Sequence, residues 1–240
     1  MLFPIGDDNR KVTRTPVLVI SLLVVNVVLH LWQWLDPSLI GYACTPYEII
    51  HFKDLVGVAE VRTHQGLMEI GHPPGPTPIL LTMVTCMFLH ADPLHLAGNM
   101  LFLWIFGDQI EDRLGRARFI FFYLGCGLLA TIGHILTNWG SPVPMLGASG
   151  AISGVMGAYM IRFPTNRIRL LFLFLIVIEV PAVIAIGLWF VMQILEYLGG
   201  SGGNVAYMAH IAGFVGGILL MRKLDRGPRK AGRVAKWRPV

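Results

Sequence analysis

The chain has 240 residues, of which 55% are hydrophobic and only 14% are charged. Soluble domains typically carry about 25% charged residues, so this composition excludes an ordinary soluble domain. The net charge of +5 does not indicate a nucleic-acid partner either, because the basic residues lie in short connections between apolar blocks or after residue 221. This distribution is typical of a membrane protein.

Six apolar blocks predict six membrane spans. The N-terminal residues 1–15 are polar and basic and no small-residue cleavage site closes the first block, which we therefore interpret as a retained signal anchor. Asp92 followed by Pro93 is typical of a helix N-cap and first helical position. Pro181 is expected to kink or divide the fifth block. The predicted spans are 17–35, 93–110, 119–137, 149–161, 170–197 and 206–221.

The basic residues predict the orientation of these spans. With a cytoplasmic N-terminus, 17 of the 19 Lys and Arg residues lie inside, and only Lys53 and Arg62 lie outside. Five or seven spans would place a basic cluster on the wrong side. We therefore expect an all-α polytopic membrane protein with both termini cytoplasmic. Its parts are a basic N-terminus at 1–15, a six-span domain at 16–222 and a basic tail at 223–240, which is expected to be disordered and attracted to anionic lipid heads.

Two segments depart from a simple six-helix pattern. The long outer loop 36–92 contains an apolar stretch, 79–89, that is too short to span and should lie in the interface or dip partway into the membrane. The fourth block has 13 residues, so the segment 138–148 before it must descend into the membrane as irregular backbone. Such backbone is tolerated only against protein or water. We expect a wet cavity open to the outer side, with Ser149 at its floor.

Three polar residues are predicted to lie at one depth in the membrane. Asn99, Ser149 and His210 each precede a charged residue of the predicted inner boundary by 12 or 13 residues. This spacing corresponds to roughly 18–20 Å of helix. An amide, a hydroxyl and an imidazole are costly in lipid unless they face one another or water. Together these groups can perform acyl-transfer chemistry.

Ser149 stands where a loop becomes a helix, within Gly147-Ala148-Ser149-Gly150. Glycine permits unusual backbone angles and close approach, and the helix N-terminus offers free N–H groups to a developing negative charge. The alternative interpretation is structural, because small residues let membrane helices pack and Gly150 with Gly154 forms a GxxxG pair.

His210 favours the catalytic interpretation. It lies in Ala209-His210-Ile211-Ala212-Gly213, and Gly213 with Gly217 makes a second small-residue face. Two such faces predict contact between the fourth and sixth spans, which would bring together a nucleophile and a general base. The alternative is a hydrogen-bonded packing histidine. Because no Asp or Glu falls nearby in these spans, we expect a dyad without a third carboxylate.

His95 and Asn99 lie on one face of the second span, four residues apart. Their N–H donors could stabilise an oxyanion, an interaction worth roughly 3–4 kcal/mol per donor. A rival is a metal site made from His90, Asp92, His95 and His210, but the chain lacks the His-Glu-x-x-His signature, so we expect neither a metal nor a cofactor. A paired-aspartate protease is unsupported, because Asp108 is the only Asp inside a predicted span and such a site needs two.

These motifs together resemble the rhomboid family of intramembrane serine proteases, over residues 15–222 and in the correct order. The resemblance implies that Ser149 is the nucleophile and His210 the base, with His95, Asn99 and the Ser149 backbone N–H as oxyanion donors. The matching positions are His90, 95–100 (His-Leu-Ala-Gly-Asn-Met), 111–115 (Glu-Asp-Arg-Leu-Gly), 147–150 and 209–213.

The resemblance also implies the partners and the path of the substrate. The substrates would be transmembrane protein segments, cut near the outer face of a bacterial plasma membrane. The fifth span and the last outer loop, here 199–204, would gate lateral access as a lid. His90 and the glycines at 147, 150, 213 and 217 would support the site. Glu111 and Arg113 are expected to form a structural clamp at the inner boundary.

Two departures from the family pattern are visible. Some members carry a Tyr four residues after the nucleophile that stacks on the catalytic His, whereas this chain has Ser153. We expect another aromatic to orient His210, but the sequence does not identify it. The Trp-Arg pair found in the first loop of many members is replaced by Leu81-Thr82.

Two other functions remain open from the sequence. One is a catalytically inactive relative that binds client helices or thins the membrane, although such proteins lose Ser or His. The other is a channel or transporter, which the apolar inner half of the spans disfavours. A Cys44–Cys86 disulfide is possible, but free packed thiols are favoured. The sequence does not determine the physiological substrate or the oligomeric state.

Overall fold

A computed structural model describes residues 2–8, 12–63, 66–172, 175–199, 205–225 and 227. Within these residues the α-helices are α1 Val17–Leu35, α2 Pro46–His51, α3 Thr82–Thr85, α4 Pro93–Leu114, α5 Arg116–Thr137, α6 Ser149–Arg162, α7 Ala182–Leu198 and α8 Tyr207–Leu224. Short 3-10 helices cover Pro37–Tyr42, Ile79–Leu81 and Cys86–Phe88. The strands are β1 Leu2–Asp7, β2 Gly57–Thr63, β3 Gly66–His72, β4 Arg167–Phe172 and β5 Ile176–Pro181.

The centre of the molecule is α6, whose residues 150–159 are all buried. Its packing against α8 depends on glycine. A Cβ atom on Gly213 would collide with the carbonyl oxygen of Gly150, and one on Gly217 would collide with that of Gly154. The predicted contact between the fourth and sixth spans is therefore confirmed, and the two backbones touch directly.

The helical membrane architecture agrees with the prediction. The first span matches α1 at both ends, and α4, α5, α6 and α8 match their predicted spans within a few residues. Among the described helices, α1 and α5 are each long and apolar enough to cross a bilayer alone. A third span results if Ile79–Phe88 and α4, which meet at a 77° bend, are counted as one. The count of six spans and the side of each terminus remain predictions.

The expectation of an all-α chain is wrong, because two small antiparallel sheets accompany the helices. Strands β2 and β3 form a hairpin in the loop 36–92 that is predicted to be outer, and the second sheet has the order β1-β4-β5. About a third of the predicted fifth span at 170–197 is strand (170–172 and 176–181), and its helix begins only after Pro181. The β-branched run 176–178 (Ile-Val-Ile) favours strand pairing, and Pro181 lacks the N–H that would continue a ladder.

Side chains at the predicted inner boundary tie the helices together. The two carboxylate oxygens of Glu111 accept hydrogen bonds from the backbone N–H groups of Leu18 (3.1 Å) and Val19 (2.8 Å), which caps the start of α1. The guanidinium of Arg113 forms a two-pronged ion pair with Asp225 at 3.0 and 3.1 Å. Glu111 and Arg113 thus each join α4 to a different part of the chain.

The N-terminal strand β1 is attached by a buried acid as well as by pairing with β4. The Asp7 carboxylate accepts hydrogen bonds from the Gln109 amide (2.6 Å) and the Tyr159 hydroxyl (2.5 Å). Asn166 donates to the Gln109 amide oxygen at 2.9 Å. Burial raises the pKa of Asp7 above its usual value, against the opposing effect of these hydrogen bonds.

The predicted outer loop 36–92 places Cys44 and Cys86 against the segment that leads to Ser149. Cys44 and Met145 form an isolated antiparallel bridge. Cys44, Cys86 and Cys126 are all free and buried, as favoured from the sequence. Of the predicted lid 199–204, only Gly199 is among the described residues. Most of the predicted tail 223–240 also lies outside them.

Candidate active site

Ser149 is the first residue of α6, at the end of the irregular segment predicted for 138–148. Gly147 has φ +126°, a conformation that L side chains rarely adopt, so glycine is required there. Its N–H donates to the Cys86 carbonyl at 2.9 Å. The backbone N–H groups of Met145 and Cys44 each donate to the carbonyl of the other residue, at 2.8 and 2.9 Å. These bonds hold the turn that presents Ser149.

His210 lies in the first turn of α8 and reaches Ser149 across the glycine contact between the helices. Its Nε2 atom is 2.8 Å from the Ser149 hydroxyl oxygen. The structure thus places the Ser149 hydroxyl and the His210 imidazole within hydrogen-bonding distance of each other. Both side chains are partly exposed, while the α6 residues that follow Ser149 are buried.

The second ring nitrogen of His210 is also occupied. Its Nδ1 atom lies 2.6 Å from the side-chain amide oxygen of Gln193 on α7. The Trp189 ring lies 6.1 Å away, centroid to centroid, and is tilted by 36°. Ser153, which stands where some family members have Tyr, instead donates its hydroxyl to the Ser149 carbonyl at 2.7 Å.

Sequence reasoning missed Gln193 and did not identify Trp189. A signal for Gln193 exists, because it is the first polar side chain after Pro181 in a predominantly apolar block. A lone amide in such a block must find a partner.

His95 and Asn99 lie one turn apart on α4, near its N-terminus, where the Asp92 carboxylate accepts from the His95 backbone N–H at 2.8 Å. The predicted N-cap is therefore confirmed. The His95 Nε2 atom is 3.0 Å from the point that a Cβ on Gly147 would occupy, and that point is 3.7 Å from the Ser149 hydroxyl oxygen. The His95 imidazole thus borders the turn beneath Ser149.

Asn99 offers an unused donor on the same face. It is buried, and its amide nitrogen has no hydrogen-bond partner among the described residues. A buried donor without an acceptor costs about 1–3 kcal/mol, so it calls for an acceptor from outside the chain or from water.

His90 is fully buried next to His95. Its ring lies edge-on to that of His95, with the ring centroids 5.3 Å apart. The Gln33 side-chain amide donates to the His90 carbonyl at 3.0 Å and accepts from the His90 backbone N–H at 3.2 Å. Neither ring nitrogen of His90 has a partner within the described part of the chain. Across those same residues, no three His, Cys, Asp or Glu side chains are arranged to hold a metal ion.

A cavity of about 520 Å³ lies at the opposite end of α4 from His95, lined by Arg14, Glu111 and Arg116 among others. It lies at the predicted inner boundary and is lined by none of the residues predicted to act as nucleophile, base or oxyanion donor. The expected water-filled cavity above Ser149 remains a prediction.

Comparison with known proteins gives one consistent family. The model of the Rhomboid domain matches residues 79–226. "Rhomboid protease GluP" of Bacillus subtilis (strain 168) is 34% identical over 154 residues, covering 64% of this chain and 27% of the relative. "Putative rhomboid protease YdcA" of the same organism is 31% identical over 142 residues, covering 58% of this chain and 64% of the relative.

A human relative, "Presenilin-associated rhomboid-like protein, mitochondrial", is 36% identical over 95 residues, which are 38% of this chain and 24% of the relative. The chain therefore spans about a quarter of the length of two of these relatives and under two thirds of the third.

Proposed function

The chain belongs to the rhomboid family, and from that premise we propose that this multi-pass membrane protein is an intramembrane serine endopeptidase. The observation that carries the proposal is the 2.8 Å contact between the Ser149 hydroxyl and His210 Nε2 at the N-terminus of a buried helix. A packing histidine would not need a serine presented on a glycine turn with positive φ.

The proposed reaction is acyl transfer followed by hydrolysis. Ser149 Oγ attacks the scissile carbonyl while His210 Nε2 takes its proton and later gives it to the leaving amine. The Asn99 amide, the His95 imidazole and the Ser149 backbone N–H stabilise the oxyanion. Water then attacks the acyl-enzyme with His210 as base.

The proposed substrates are membrane-spanning segments of other proteins, cleaved near the outer face. Ser149 lies at the start of α6, after an irregular segment that is predicted to descend into the membrane, and this position supports access from that side. A stable helix hides its carbonyl groups in hydrogen bonds, so the substrate segment must unwind readily and carry small residues at the cut. The membrane proposed is a plasma membrane, with lipids as the surrounding partner.

The test is the Ser149→Ala variant, reconstituted in liposomes with a single-span substrate. Loss of the nucleophile should lower cleavage by at least about 10³-fold. Ser21→Ala is the matched control, because it removes an exposed serine of α1 that bonds only its own helix. A fluorophosphonate probe should label the wild type and not the Ser149→Ala variant.

Undiminished cleavage by the Ser149→Ala variant would rule out the mechanism. A wild-type protein that binds the substrate, neither cleaves it nor reacts with the probe, and folds normally would instead support the inactive client-binding alternative.

A further inference from the structure

We propose that Gln193 is the positioning residue that holds His210 in the orientation and tautomer of a general base. This inference rests on the proposed function, because it assigns a role within the same site. It also gives α7 a part in the chemistry beyond closing the side of the bundle.

The hydrogen bonds decide the tautomer. An amide oxygen can only accept, so the 2.6 Å contact between Gln193 Oε1 and His210 Nδ1 requires the proton on Nδ1. A neutral imidazole carries one ring proton, which leaves Nε2 with a free lone pair. That lone pair faces the Ser149 hydroxyl at 2.8 Å and can accept its proton.

The same two contacts explain how a dyad can work without a carboxylate. In a three-member site the acid bonds the far nitrogen of the histidine and fixes its tautomer. Here Gln193 occupies that nitrogen and Ser149 occupies the other, so both ring nitrogens are already bonded. A neutral amide orients the ring without adding a charge to the membrane interior.

The packing of α7 on α8 sets Gln193 opposite His210. One turn below this contact, Phe190 of α7 stacks on Phe214 of α8, with ring centroids 4.1 Å apart and a 15° interplanar angle. Trp189 lies against Phe214 as well as His210, at 6.2 and 6.1 Å. These aromatic contacts thus fix the register of α7 against the antiparallel α8. This register places the Gln193 side chain opposite His210.

Gln193 contacts His210 at Nδ1 and acts on the reaction only through that ring. It should therefore affect turnover more than substrate binding.

Two substitutions test the proposal in the full-length protein. Gln193→Met keeps the length of the side chain and removes the acceptor, whereas Gln193→Glu keeps an acceptor oxygen. We expect kcat for a reconstituted substrate to fall about 10- to 100-fold in Gln193→Met, with KM within about twofold of the wild type. Gln193→Glu should retain most of the activity. Leu195→Met, on the exposed side of α7, is the matched control and should leave kcat unchanged.

A second measurement reads the tautomer directly. In ¹⁵N-histidine-labelled protein, the His210 signals are assigned by their loss in His210→Ala. The wild type should show a protonated Nδ1 and an unprotonated Nε2, and Gln193→Met should shift this distribution. Thermal unfolding of each variant checks that it is folded.

Wild-type kcat and an unchanged His210 tautomer in folded Gln193→Met would overturn the inference, as would a protonated Nε2 in the wild type. These failures are distinct from failure of the proposed function. The latter appears as cleavage that survives Ser149→Ala, or as a wild type that neither cleaves nor reacts with fluorophosphonate, and the tautomer remains measurable in either case.

Discussion

The position of His210 depends on contacts with two neighbouring helices. Its imidazole joins three helices, because it contacts Ser149 on α6 and Gln193 on α7 from its own position on α8. The meeting with Ser149 could be predicted by counting residues up from the charged inner boundary, since depth along a helix is proportional to residue number. The contact with Gln193 could not be predicted in this way. The predicted fifth span starts within β4, so the sequence does not indicate where α7 begins or which of its faces meets α8.

Asn99 provides a test at the same scale. Replacing it with Leu keeps a side chain of similar size but removes the unpartnered amide donor. We expect kcat to fall roughly 10²- to 10³-fold with little change in KM, because an oxyanion donor acts in the transition state. Steady-state cleavage in liposomes measures both constants.

The control for Asn99→Leu is Asn26→Leu, which removes another buried amide whose nitrogen bonds a carbonyl of its own helix, α1. An Asn99→Leu protein with wild-type kcat would exclude the amide from oxyanion stabilisation.

At the scale of elements, the helices were predictable and the strands were not. Long apolar runs with charged ends define a helix locally, as for α1 and α5. The partner of β1 lies more than 160 residues further along the chain, so nothing near residues 2–7 indicates that they pair with β4. The β-branched run of β5 was misread because an apolar segment fits a buried strand as well as a helix.

The buried Asp7 makes the attachment of β1 sensitive to pH. Its pKa is raised in the folded protein, so the folded state binds the proton more tightly than the unfolded state. Stability should therefore be greatest below the unfolded pKa of about 3.8 and fall as the pH rises through the raised folded value. Asp7→Asn mimics the protonated acid and should raise the melting temperature at pH 7.

The increase in melting temperature caused by Asp7→Asn should become smaller towards pH 4. Thermal unfolding in detergent at pH 7 and pH 4 measures it. Asp36→Asn is the control, because that carboxylate is at an exposed position between α1 and the following 3-10 helix. An Asp7→Asn protein less stable than the wild type at pH 7 would contradict the expected sign.

For the whole molecule, the family and the helical membrane architecture could be predicted from motifs and composition, whereas the topology remains to be measured. Cysteine labelling in sealed cells provides the measurement, because the three native cysteines are buried and give a low background. Val58→Cys, in the exposed part of β2, should react with an impermeant maleimide from outside.

Thr15→Cys, at an exposed position just before α1, should react only after permeabilisation. Labelling of the two positions from the same side would refute the predicted topology. The wild type, which should stay unlabelled, is the control for both substitutions.

The direct backbone contact between α6 and α8 has a mechanical consequence. Where Gly213 touches Gly150 and Gly217 touches Gly154, no flexible side chain lies between the helices to absorb strain. Thicker or thinner bilayers should therefore tilt the peripheral helices and leave Ser149 and His210 at a constant separation. If Ser149 is the nucleophile proposed above, lipid composition would then tune how often a substrate reaches it, while its intrinsic reactivity stays the same.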